Sequence, residues 1–145
     1  MNTKTLNKPS IGFWIASVVG LLWNLLGVNA YLQQAYKTES FRAQFPPELL
    51  EIMDNTPAWA TAAFAIAVFA GTFGCIALIF RKKIAKPLFI LSLTGVVVQF
   101  SYEIFMTNSR DYYDTFAWIM TLMIPIVCIY LIWVSKKAIA KGWIS

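Results

Sequence analysis

Residues 55–83, NTPAWATAAFAIAVFAGTFGCIALIFRKK, decide the fold. Between Pro57 and Arg81 there is no charged side chain, and a proline opens the run where a missing N–H costs nothing. Three cations, Arg81, Lys82 and Lys83, close it at the negative end of the helix dipole. A helix over 58–80, rising 1.5 Å per residue, covers the about 30 Å of hydrocarbon in a bilayer.

Working outward, three more stretches have the same character: 11–32, 88–107 and 116–134. In lipid every backbone amide must be paired within its own segment, so runs of this length are helices. Helices are expected over about 11–34, 58–80, 88–107 and 116–136, forming one domain over 1–145. The fold class is all-α, a transmembrane four-helix bundle. Pro9, Pro57 and Pro87 stand at or near a first helical turn, Asp114-Thr115 can cap the fourth helix, and Gly142 stands where a helix stops. Pro125 lies inside the fourth span and predicts a bend there.

The whole composition agrees. Of 145 residues 59% are hydrophobic and only 13% are charged, with a mean hydropathy of +0.62. A soluble domain carries about 25% charged residues, so lipid is the solvent for much of this surface. The net charge of +5 is a topology signal rather than a nucleic-acid footprint. Nine of the twelve cations sit at the N-terminus (Lys4, Lys8), in the second connection (Arg81, Lys82, Lys83, Lys86) and in the tail (Lys136, Lys137, Lys141). The other connections hold Lys37, Arg42 and Arg110 among Glu39, Glu48, Glu51, Asp54, Asp111 and Asp114. The positive-inside rule then places both termini in the cytoplasm, N-in and C-in. A secretory leader also fits Lys4 and Lys8 ahead of a run ending in Val28-Asn29-Ala30, but the run is long for one and Asn24 interrupts it.

The chain has no histidine, which removes the usual general base and the commonest metal ligand. Cys75 and Cys128 are too far apart for a zinc spacing and read as small apolar packing residues. No enzyme activity, catalytic residue, metal or cofactor is expected, and no nucleic-acid partner.

Function has to reside where residues violate what lipid favours. Gly20, Asn24, Gly27, Tyr31 and Gln34 recur at helical spacing on one face of the first span. Ser92, Gly95, Gln99 and Tyr102 repeat the pattern in the third, with Glu103 beside them as the one formal charge inside a span. Asn24 and Gln99 should lie near each other at the midplane. The candidate polar cleft is therefore Asn24, Tyr31, Gln34, Gln99, Tyr102 and Glu103, between the first and third helices. These side chains read either as hydrogen-bonding glue between helices or as the lining of a wet site. Glu103 reads as an interfacial acid or as a proton- or cation-binding group. Ala60, Ala63, Ala67, Ala70 and Gly74 form a small-residue packing stripe in the second span, matched by Gly20 and Gly27 in the first. The first outer loop holds Pro46-Pro47-Glu48-Leu49-Leu50-Glu51-Ile52-Met53, the pattern of a short interfacial helix that lies over the outer helix ends or on the membrane surface.

The stretches KPSIGFWIASVVGLLWNLLGVNAYLQQAY, NTPAWATAAFAIAVFAGTFGC and WVSKKAIAKGWIS resemble, over nearly the full length, a family of small uncharacterised bacterial four-helix membrane proteins often catalogued as sugar transporters. The resemblance implies a bacterial inner membrane and a multi-pass chain. Two functions fit the residues. One is binding or transport of a small neutral solute such as a sugar through the cleft; a transporter this small would need a homo-oligomer. The other is a non-catalytic accessory or scaffold subunit of a larger membrane complex, which needs only packing faces.

Overall fold

A computed structural model describes residues 6–145. Four long helices, α1 (Ile11–Tyr36), α4 (Ala58–Ile79), α5 (Ala85–Met106) and α6 (Thr115–Ala140), are each long and apolar enough to cross a membrane. Two short helices, α2 (Glu39–Arg42) and α3 (Pro47–Asp54), fill the first loop, and a 3-10 turn at Ser109–Tyr112 joins α5 to α6. The chain is an all-α four-helix membrane protein.

The ends follow local chemistry. Ser10 Oγ accepts from Phe13 N at 3.2 Å, and Asp114 Oδ1 accepts from Ala117 N at 2.7 Å. At the end of α6, Gly142 adopts φ +71°, and Trp143 N donates to Ala138 O at 2.8 Å, a left-handed C-terminal cap. Arg81 takes the same role after α4 with φ +58°, Lys82 N donating to Ala77 O at 2.8 Å. Several boundaries move from the expected ones: α5 starts at Ala85, placing Pro87 within its first turn. α6 continues to Ala140, so Lys137 lies within the helix rather than beyond it. The ammonium of Lys137 sits 5.0 Å over the Trp133 ring, which ties it to the helix surface. Helix α6 runs through Pro125 as one element.

Packing is centred on α4, which lies along both α1 and α5, while α6 closes the bundle against α5 and part of α1. In the apolar stretch of α4, 56% of residues are buried, against 11% in α6, so α4 is the core helix and α6 faces lipid. The small-residue stripe explains why. Gly95 of α5 lies so close to α4 that an added Cβ would stand 2.7 Å from Ala63 O and 2.9 Å from Ala67 N. Gly74 receives the ring of Phe89, Gly27 receives Val68, and Gly20 receives Leu131. Ala60, Ala63, Ala67 and Ala70 are buried, so this stripe packs within the chain.

The interior is uneven along its length. At the end where α1 begins and α6 finishes, Phe13, Cys75, Leu78, Phe89, Leu131, Ala138 and Ile144 form one buried cluster. Three segments are tied over it: Arg81 Nε donates to Trp143 O at 2.9 Å, a second guanidinium nitrogen donates to Asn7 O, and Asn7 N donates to Gly142 O at 2.8 Å. The opposite end, where α2, α3 and the 3-10 turn lie, is not filled. Outside the bundle, Leu26, Phe105 and Phe116 are 63%, 83% and 70% exposed, a surface that only lipid covers without aggregation.

Candidate functional site: a two-chambered cavity at the loop end

Because α1 and α6 meet at Gly20 and Leu131, in the terminal half, and their other halves are less packed, space opens between them. An inner chamber of about 270 Å³ is walled by α1, α4, α5 and α6. Its polar groups are few: Asn24, Ser92 and Cys128 toward the closed end, and Gln99, Glu103, Tyr113 and Thr121 toward the open one. Trp23, Phe64, Phe100 and Ile124 supply the apolar wall. An outer chamber of about 520 Å³ shares Phe64, Gln99, Glu103, Tyr113 and Thr121 with it, and so continues it toward the loops. Phe41, Phe45, Leu49 and Met53 of the first loop cover that outer chamber. The α2–α3 segment therefore lies over the helix ends as a cap, clamped by a bidentate Arg42–Asp54 pair at 2.8 and 3.0 Å. The guanidinium of Arg42 holds the Asp54 carboxyl below its usual range.

Each polar side chain is set by its helix. Asn24, buried, donates from Nδ2 to Gly20 O one turn earlier at 2.8 Å and touches Cys75 Sγ at 3.7 Å, while its Oδ1 lies against Gly71. Ser92 Oγ donates to Ala67 O at 2.6 Å, pinning α5 to α4 at the chamber floor. Glu103, half-buried, takes one donor on each oxygen: Gln99 Nε2 at 3.4 Å on Oε1 and the Tyr113 hydroxyl at 3.3 Å on Oε2. The i, i+4 spacing brings Gln99 beneath Glu103, and the tight 3-10 turn returns Tyr113 over it. Burial, and then the Glu103 carboxylate, push the Tyr113 phenol above its ordinary value.

Asn24, Gln99 and Glu103 thus line one cavity, with Gln34 and Tyr102 joining at the outer chamber. Two expectations need correction. The cleft is not confined to the first and third helices, because α4 lies between α1 and α5 and supplies Phe64 and Ala67, and α6 supplies Thr121 and Cys128. Tyr31 lines neither of these two chambers; its ring makes edge contacts with Phe64 and Phe69 at 5.5 and 5.8 Å, and it faces a separate pocket beside Lys37, Arg42 and Asp54. Its phenyl body was better matched by neighbouring aromatic rings than by a polar stripe. Tyr113 and Thr121, which no polar pattern in the sequence marks, complete the site. The one signal for Tyr113 is its place just across a short connection from Glu103.

No cationic side chain lines either chamber among the described residues; the carboxylates there are Glu103 and Asp114. Such a site gives an anion nothing to pair with and offers acceptors where the chambers join, aromatic side chains within and a closed floor. No protein-family model, no curated protein and no solved structure matches the chain.

Proposed function

We propose that the protein is a multi-pass membrane protein that binds a small, non-anionic organic solute in the loop-end cavity. The observation that carries this reading is the pair of continuous chambers, joined where Gln99, Glu103 and Tyr113 converge and closed below by the Phe13–Leu78–Phe89–Leu131 cluster. The apolar wall suits a solute with an apolar body better than a bare sugar, whose hydroxyls would outnumber the polar groups of the inner chamber.

In this reading the basic terminal end faces the cytoplasm and the cavity opens on the far side of a bacterial inner membrane, as the lysine and arginine distribution supports. The tied terminal end closes the path through one chain, so the reading is binding from one side; passage would require the cluster to part. The accessory-subunit alternative draws less support, since the small-residue stripe of α4 is occupied by α1 and α5.

A thermal-stability screen of the purified chain in mild detergent tests the reading, using small aromatic or aliphatic solutes of neutral, cationic and anionic type. Stabilisation by neutral or cationic members, abolished when Thr121→Trp fills the shared wall of the chambers, is the expected result. Indifference to every class, or equal response in the filled variant, overturns it.

A further inference from the structure

The solute reading leaves one group unexplained. Glu103 is a carboxylate inside an apolar span, held by two neutral donors, and no Lys or Arg pairs with it among the described residues. The ion pairs of the loop end converge instead on Asp54, outside the span. An unpaired charge in a low-dielectric wall is costly until the carboxyl takes up a proton or a cation pairs with it, and a ligand cation supplies the second.

The surroundings say what kind of cation. Glu103 and Tyr113 belong to both chambers, so the carboxylate stands at their junction rather than in the loops. Beyond it the inner chamber is lined mainly by aromatic and aliphatic groups, with Trp23, Phe64 and Phe100 in the wall. Aromatic faces attract a positive charge and accept a hydrocarbon body equally well. A hydrated metal ion would gain little there: apart from Glu103, the inner chamber offers only neutral amide and hydroxyl oxygens, spread from Asn24 and Ser92 at its closed end to Gln99, Tyr113 and Thr121 at the other. A polyol would leave the carboxylate without a counter-charge.

Resting on the solute-binding reading, we propose that the ligand class is an organic monocation with a compact apolar body, its ammonium group against Glu103 and its body in the inner chamber. Gln99 and Tyr113 act as positioning residues: each directs one carboxylate oxygen and neither supplies charge.

The test uses benzyltrimethylammonium as the cationic probe, with benzyl alcohol and glucose as neutral probes, titrated calorimetrically into the full chain in mild detergent. Benzyltrimethylammonium binds at least tenfold more tightly than either neutral probe. Glu103→Gln loses at least tenfold of that affinity while keeping its helical circular dichroism, and Glu103→Asp, which retains the charge, stays within about threefold. If Glu103→Gln fails to fold, the preference of the unaltered chain for the cation over benzyl alcohol decides. Neutral probes binding as tightly as the cation, or an unchanged affinity in a folded Glu103→Gln, overturn the cation assignment and leave solute binding standing. Absence of binding by all three probes removes both.

Discussion

The hydroxyl of Tyr113 donates to Glu103 Oε2 at 3.3 Å across the junction of the two chambers, joining the end of α5 to the turn that starts α6. Neither residue alone makes a site. Together with Gln99 on the other oxygen, they hold a carboxylate in fixed orientation at the entrance to an apolar chamber.

That contact has a titration signature. Burial, reinforced by the carboxylate, raises the Tyr113 phenol, so its contribution to stability is complete below the ordinary tyrosine value of about 10 and is lost as pH rises through the higher folded value. Difference absorbance of the unaltered chain against Tyr113→Phe should show one phenol ionising above the ordinary range. A phenol ionising at or below it contradicts the contact.

The close approach of α4 and α5 depends on Gly95. A methyl there would meet the backbone of Ala63 and Ala67 rather than a movable side-chain tip, so Gly95→Ala should cost about 1–3 kcal/mol of stability. Gly12→Ala, whose methyl meets only Ser10 Oγ at an ordinary 3.7 Å, should be neutral or stabilising by up to about 1 kcal/mol. Denaturation by a graded anionic detergent compares them. Equal stability of the two variants would deny the helix contact.

Arg81 bears a left-handed backbone and also ties Trp143 and Asn7 across the terminal end. Arg81→Ala loses the tie and keeps the backbone cost; Arg81→Gly loses the tie but relieves about 1–2 kcal/mol of that cost. Arg81→Gly should therefore be the more stable of the two, with the tail in both more open to carboxypeptidase than in the unaltered chain. The reverse order of stability would rule out the left-handed turn.

The cap over the outer chamber should respond to acid. Asp54 titrates below its usual range because Arg42 hydrogen-bonds it, so the clamp is fully present above the ordinary aspartate value of about 3.9 and is lost as pH falls through the lower folded value. Hydrogen-exchange protection of residues 38–56, measured against the intrinsic rate at each pH, should be unchanged from pH 7 to 5, and Asp54→Asn should lower it across that range. Protection that survives Asp54→Asn would show the clamp to be incidental.

Much of this architecture is legible before any coordinates. Lipid tolerates so little charge that apolar runs between basic clusters fix four spans, and Asn24, Gln99 and Glu103 stand out because they break those runs. What the sequence hides is which elements separate them. Gly95 and the alanines of α4 read as a packing stripe, yet only three-dimensional packing tells that α4 lies between α1 and α5 and widens the cleft to all four helices. Tyr31 and Tyr113 look alike in sequence, amphipathic rings near an outer interface. One packs edge-on against Phe64 and Phe69; the other is carried by a four-residue turn onto a carboxylate. Residue type sets what each ring can do, and the connection decides which it does.

The cavity itself is best tested by thiol accessibility. In cells expressing a chain with Cys75→Ala and Cys128→Ala, single cysteines at Thr121 in the cavity wall and at Val134 in the closed half are exposed to a membrane-impermeant cationic methanethiosulfonate from outside. Rapid modification of the Thr121 cysteine, slowed by benzyltrimethylammonium, with the Val134 cysteine unmodified, is the predicted result. An inert Thr121 cysteine, or equal labelling of both positions, would contradict a cavity open at the loop end.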